Sequence, residues 1–310
     1  MSELTWVDNQ GILFDNTVSH KIRRLADTTE ATRDVSEGMR VALKINTAEQ
    51  GYPYGLRPGF VRVLADIAWK ATQKRPIICD GQRLVDYWKR SRGNNFLETA
   101  GEAGYTNETL GGHFSINGGF SGDEGELFPC GENSDLGGVE VGTAVCRSDA
   151  LWVLSHVTLH PLFGISGALL NGGFDCLSGR ARTRILDGLN PYLFNGQRIS
   201  SEDRKEFQLR ALESHCAVRT AMEDRVYYVN YLWDITPQPE YYPFSEAPIL
   251  NNLGFVASHD PVALDAATYA LIREHAPDAA RIGNMNFEEV LGYAEKVGLG
   301  SLGESPEHLS

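Results

Sequence analysis

Ala150–His156 reads ALWVLSH, an apolar run without polar alternation that ends on a serine and a histidine. A short run of this kind is what a strand buried on both faces requires. Others recur along the chain: RVALKIN (Arg40–Asn46), PIICD (Pro76–Asp80), VEVGTAVC (Val139–Cys146), VYYVNYLWDI (Val226–Ile235) and LGFVASHD (Leu253–Asp260). Helical patterns separate them, at Phe60–Lys74, Leu84–Arg92, Phe96–Ala103, Ser201–Asp224 and Pro261 to about Glu274. Strands alternating with helices predict βαβ units, hence an α/β fold with a mostly parallel sheet flanked by helices. The chain of 310 residues is expected to form one such domain over residues 1–310, with the Gly-rich stretch 118–138 as the candidate boundary between lobes. A long solvated loop is the plainer reading of that stretch. Its carboxylates Asp123, Glu124, Glu126, Glu132 and Asp135 do not match a calcium-loop spacing.

Acidic residues outnumber basic ones, giving a net charge of −13. That balance argues against nucleic acid and membrane surfaces as partners, while leaving room for a local basic pocket that takes an anion. No stretch is long and apolar enough for a membrane span, and the N-terminus has no secretory pattern. The five cysteines, at 79, 130, 146, 176 and 216, contain no CxxC pair. Their spacing fits reduced thiols in a cytoplasmic protein.

The strand ends carry the functional signal. Lys44 and Asn46, Asp80, Ser155 and His156, Asp234 and Thr236, and Ser258, His259 and Asp260 close five apolar segments. In an open parallel sheet, ligands bind beyond the carboxyl ends of the strands. These residues are therefore expected to meet at one edge, with Lys44, His156, His160, His259 and Asp260 as the catalytic candidates. Lys44 lies within a strand, where a charge needs a partner such as a substrate anion. His156 and His160 have the HxxxH spacing that could share a metal on a helix. The β-branched Val157 and Thr158, and Pro161 after His160, argue for extended backbone instead. The pair then serves as metal ligands or as acid and base. In GISGALLNGGFDCLSG, residues Asn171, Gly172 and Gly173 are candidate cofactor contacts, although a tightly packed turn explains the glycines equally well. Asp260 precedes Pro261 as a helix cap would. His215, mid-helix among Ala211, Val218 and Met222, reads as core, so its loss should cost stability whereas loss of His156 should not.

VALKIN, YPYGLRPGFVRVLADI, AGEAGYTNETLGG, LSHVTLHPLFGISGALLNGGF and NNLGFVASHDPVALDAATYALI together run from Val41 to about Ile272. In these segments the chain resembles the family known as domain of unknown function 362. The resemblance points to Lys44, His156, His160, Asn171, Asp260 and Asp265, and to the iron–sulfur chemistry with which members are often linked. The sequence departs from the family pattern at Leu170, where members commonly carry lysine. It departs again at ITPQPEYYP, where many have paired cysteines, and it lacks their ferredoxin-like module. A cluster held within one chain is therefore not expected.

The leading expectation is a metal- or cofactor-assisted enzyme, an oxidoreductase in its family-flavoured version, acting on a small polar or anionic metabolite. A divalent metal is its candidate cofactor. An acid–base isomerase or lyase without a redox cofactor fits the same residues. The third reading is a non-catalytic protein that binds a metal or ligand, with Tyr227, Tyr228, Tyr231, Trp233, Tyr241 and Tyr242 as aromatic surface for the ligand or a homodimer.

Overall fold

The structure is a computed structural model that describes the chain apart from residues 1–2, 15, 83–88, 92, 132–133, 188–199, 277–285, 304 and 310. The helical pattern at Leu84–Arg92 lies largely outside the described residues, as does Glu132; Lys89–Ser91 form a 3-10 turn. In chain order the elements begin with β1 (Leu4–Val7), α1 (Val18–Thr28), β2 (Val41–Ile45), α2 (Pro58–Thr72), β3 (Ile77–Gly81) and α3 (Gly93–Glu102). Next come α4 (Asn107–Leu110), β4 (His113–Asn117), β5 (Gly125–Pro129), β6 (Gly138–Gly142), α5 (Thr143–Cys146) and β7 (Ala150–His156). Then follow β8 (Leu159–His160), β9 (Gly164–Ile165), α6 (Ala168–Asn171), α7 (Gly179–Ile185), α8 (Ser201–Ala221) and β10 (Val226–Leu232). The chain finishes with β11 (Gly254–Ser258), α9 (Pro261–His275), α10 (Phe287–Lys296) and β12 (Glu307–Leu309).

Among the described residues, eight strands form the central sheet in the order β12-β1-β11-β10-β7-β2-β3-β4. The pairs from β10 to β4 are all parallel, while β11 runs antiparallel to both its neighbours. The fold is α/β with a mostly parallel sheet. Every residue of β2, β7 and β10 is buried, which is why those segments read as unbroken apolar runs. Alternate side chains feed two cores. Leu151, Val153, Tyr228 and Val256 meet α6 and α9 on one face, and Leu43, Trp152, Tyr227 and Phe255 meet α1 and α2 on the other.

Two local expectations change. The Gly-rich stretch holds β5, which pairs with β6 as an antiparallel hairpin against α8, so it is not simply a solvated loop. VEVGTAVC is a strand only to Gly142, after which Thr143–Cys146 turn into α5. Tyr227, Tyr228 and Tyr231 are buried inside the sheet, so they supply no surface for a partner. No helix among the described residues is long and apolar enough to cross a membrane.

Candidate functional site

Lys44 and His156 come to the carboxyl edge of adjacent parallel strands, but on opposite faces of the sheet, because alternate residues of β2 and β7 feed different cores. Lys44 is fully buried and its Nζ lies 3.1 Å from Asp80 Oδ1 at the end of β3. It also donates to the carbonyl of Ile45 at 2.8 Å. The other Asp80 oxygen accepts from Arg90 Nη2 at 2.7 Å and from the amide and hydroxyl of Thr47, each at 2.8 Å. Burial alone would lower the Lys44 pKa, but the Asp80 carboxylate reverses this and leaves it raised. The charge of Lys44 is thus answered from inside the protein, by a carboxylate rather than by a substrate anion.

His156 is also fully buried. Its Nε2 faces the carbonyl of Trp233 at 3.0 Å, and a carbonyl only accepts, so the ring proton sits on Nε2. Nδ1 then presents its lone pair; it has no hydrogen-bond partner and faces Glu240 Oε2 at 3.9 Å. Burial pushes the ring down to about 4, despite the opposing pull of the Trp233 carbonyl and Asp234, so the imidazole is neutral at pH 7. A relay of amides fixes its backbone. Asn46 Oδ1 accepts from the His156 amide at 3.1 Å, and Asn46 Nδ2 donates to Asn171 Oδ1 at 2.6 Å. Asn171 closes α6, whose first amides, Ala168 and Leu169, donate to Asp265 at 2.8 and 2.9 Å. Burial raises Asp265 to about 6.

His160 lies in extended backbone, as Thr158 and Pro161 suggest. Its Nδ1 accepts the amides of Leu162 and Phe163, and its ring packs on Phe207 and Tyr241. Burial lowers it to about 3. Glu240 and Tyr241 thus connect the two histidines, one facing His156 and the other touching His160.

Above His156, toward solvent, stands Arg57. Its guanidinium donates to Tyr231 Oη, pairs with Asp234 at 3.0 Å and lies 4.7 Å over the Trp233 ring. It is 44% exposed, and the Tyr231 ring beneath it is 5.5 Å from that of His156. Arg57, Arg90 and Glu240 were not singled out in the sequence. They stand in loops or a turn, outside the strand ends that drew the reading.

His259 and Asp260 do not join this edge. Because β11 is antiparallel, its end lies where β10 begins, and His259 Nδ1 faces the carbonyl of Val226 at 3.0 Å. Its Nε2 faces the carbonyl of Glu30 at 3.2 Å, which ties β10 to the turn after α1. Asp260 caps α9, accepting the amides of Val262 and Ala263 at 2.8 and 2.9 Å, and also holds Ser301. Gly172 and Gly173 make room for packing rather than for a cofactor. A Cβ at Gly172 would come within 2.7 Å of the Tyr228 ring, and one at Gly173 within 2.7 Å of His215 Cβ.

Among the described residues no three His, Cys, Asp or Glu side chains gather closely enough to hold an ion. Cys79 and Cys176 both adjoin Lys44, but burial holds the thiols protonated, Cys79 up at about 12 and Cys176 higher still. His156 Nδ1 and Glu240 face each other at 3.9 Å, with no third ligand beside them among the described residues.

The domain of unknown function (DUF362) family matches residues 41–270, about three quarters of the chain. The protein belongs to that family. Among solved structures, this member of the family is similar to the lactate racemase apoprotein from Thermoanaerobacterium thermosaccharolyticum, at 12% identity and a TM-score of 0.39, over 74% of this chain and 51% of that one. It is similar also to a protein from Thermotoga maritima, at 12% identity and a TM-score of 0.39, over 92% of this chain and 60% of that one. The chain thus spans about half of the racemase, and likenesses so distant carry no argument about chemistry. No curated protein matches it.

Proposed function

We propose that the chain is an acid–base enzyme acting on a small anionic metabolite, an isomerase or lyase, with His156 as the proton-transferring group. One observation carries this reading: a buried, neutral imidazole whose tautomer is fixed and whose Nδ1 lone pair has no partner. A free lone pair in a low-dielectric site, beside a carboxyl group able to stabilise the imidazolium that forms, is the arrangement of a general base. The ring's pKa is low without substrate, and the negative charge of a bound carboxylate raises it toward the working range. Arg57, 44% exposed and one aromatic layer from His156, recruits that carboxylate, exchanging Asp234 for it. Lys44, Asp80 and Arg90 hold the ends of β2 and β3 together, and the Asn46–Asn171 pair holds the backbone of His156. The metal-assisted version is the weaker one, because among the described residues no three His, Cys, Asp or Glu side chains gather to hold an ion.

Hydrogen exchange tests this. The protein is incubated in deuterated buffer with 2-hydroxy acids, 2-oxo acids and amino acids, and deuterium at the α-carbon is followed by proton NMR. Exchange into at least one acid is expected, with His156→Gln slowing it by about 10²-fold or more and Arg57→Ala raising KM more than it lowers kcat. Exchange that His156→Gln leaves intact, or none with any acid, would contradict the proposal.

A further inference from the structure

At the amino edge of the sheet, away from His156, a groove of about 820 Å³ opens beside the starts of β3 and β4. Its lining brings together Arg40, Lys74, Arg75 and Arg147, with His113 and the ring of Phe114. The four cations come from separate places: the residue before β2, the turn between α2 and β3, and the end of α5. In a chain of net charge −13, average composition does not produce such a concentration.

Their charges are largely unanswered. Arg147 pairs with Glu126 at 3.0 Å. Arg75 donates to the carbonyl of Gly111 at 3.0 Å and lies over the Trp69 ring, contacts that leave its charge unneutralised. Among the described residues, the side chains of Arg40 and Lys74 have no partner; the neighbouring Asp149 carboxylate is engaged by the Arg40 backbone amide at 2.6 Å. The groove is of a size that takes small metabolites. A second hollow of about 310 Å³ shares Arg75, Asn107 and His113 with it and adds Arg62 and Glu108.

We propose that this groove binds a small anion bearing more than one negative charge, a phosphate ester or a polycarboxylate. One carboxylate would need one cation, whereas three unmatched cations converging on one groove suit a multivalent ligand. The net charge of −13 disfavours nucleic acid as the occupant. Because the groove lies at the opposite edge from His156, its ligand is not the molecule that reacts there.

Calorimetric titration of the full chain with inorganic pyrophosphate, and separately with citrate, at low ionic strength tests the assignment. Saturable one-to-one binding of at least one anion is expected. Pyrophosphate alone would identify a phosphoryl ligand, and citrate alone a polycarboxylate. The Arg40→Ala/Lys74→Ala double variant should weaken binding about tenfold or more, while Arg57→Ala leaves it unchanged. Both substituted side chains are exposed, and a melting curve verifies folding; should the double variant unfold, Lys74→Gln alone is titrated and must still weaken binding. No saturable binding of either anion, binding indifferent to the substitutions at Arg40 and Lys74, or binding lost in Arg57→Ala would overturn the proposal.

Discussion

His156 and His259 look alike in the sequence, each following an apolar strand and a serine, in LSH and ASH. In the molecule they stand at opposite edges of one sheet. His156 ends a parallel strand, keeps one nitrogen free and faces a carboxyl group. His259 ends the antiparallel β11, and both its nitrogens are directed at backbone carbonyls of other elements. The difference lies in strand direction. A polar residue at a strand end is a site candidate only when the strand points the same way as its neighbours.

Substitutions at the two edges should separate a site from a brace. The largest effect is expected at the carboxyl edge, where Asp80→Ala leaves Lys44 and Arg90 buried without their carboxylate. Chemical denaturation should show a loss of about 3–5 kcal/mol; a loss below about 1 kcal/mol would mean that the cluster does not hold the strand ends. His215→Ala should cost about 1–3 kcal/mol, since it strands the Leu169 carbonyl and the Tyr228 hydroxyl that its ring now engages. The expected contrast in stability with His156 does not survive, because His156 is buried just as completely and His156→Ala must also destabilise. What separates them is activity, lost only at His156. Gly172→Ala should cost about 1–3 kcal/mol by overpacking against Tyr228 and His215, without changing the affinity of any ligand. His259→Ala, the smallest, should lower stability by about 1 kcal/mol and leave exchange activity within about twofold. Activity lost at His259 but kept at His156 would invert the comparison.

Proton linkage gives a further check. His156, His160 and His215 are held by burial at about 4, about 3 and about 3. Unfolded, they take up protons near pH 6.5. Their contribution to stability is therefore complete above that pH and is lost as pH falls toward 4. Asp265, raised by burial to about 6, acts with the opposite sign: its contribution is present in acid and lost as pH rises through 6. Three histidines outweigh one carboxylate, so Tm should fall between about pH 7 and pH 5, and His215→Gln should flatten that fall.

Much of the parallel half of the fold was legible, because strands covered on both faces leave unbroken apolar runs such as ALWVLSH and VYYVNYL. The strands β1, β4, β5 and β12 were not, being short or half exposed. The direction of β11 could have been read. Trp233–Leu253 carries no helical pattern, and a parallel crossover needs a connection that is usually a helix, whereas an antiparallel neighbour does not. For the site, Lys44, Asn46, Asp80 and His156 announce themselves at strand ends. Arg57 and Glu240 reach it from loops whose path only the folded chain determines. The glycines at 172 and 173 were ambiguous, because a turn packed against a helix and a turn packed against a ligand need the same missing side chain.

The proposed chemistry turns on the state of one imidazole. Nitrogen-15 NMR of the histidine rings, with His156→Gln to assign the signals, reads its tautomer and charge directly. The expected result is a neutral ring protonated on Nε2, with a pyridine-type Nδ1, unchanged from pH 8 down to about pH 5. A His156 ring protonated on both nitrogens at pH 7, or carrying its proton on Nδ1, would contradict the account.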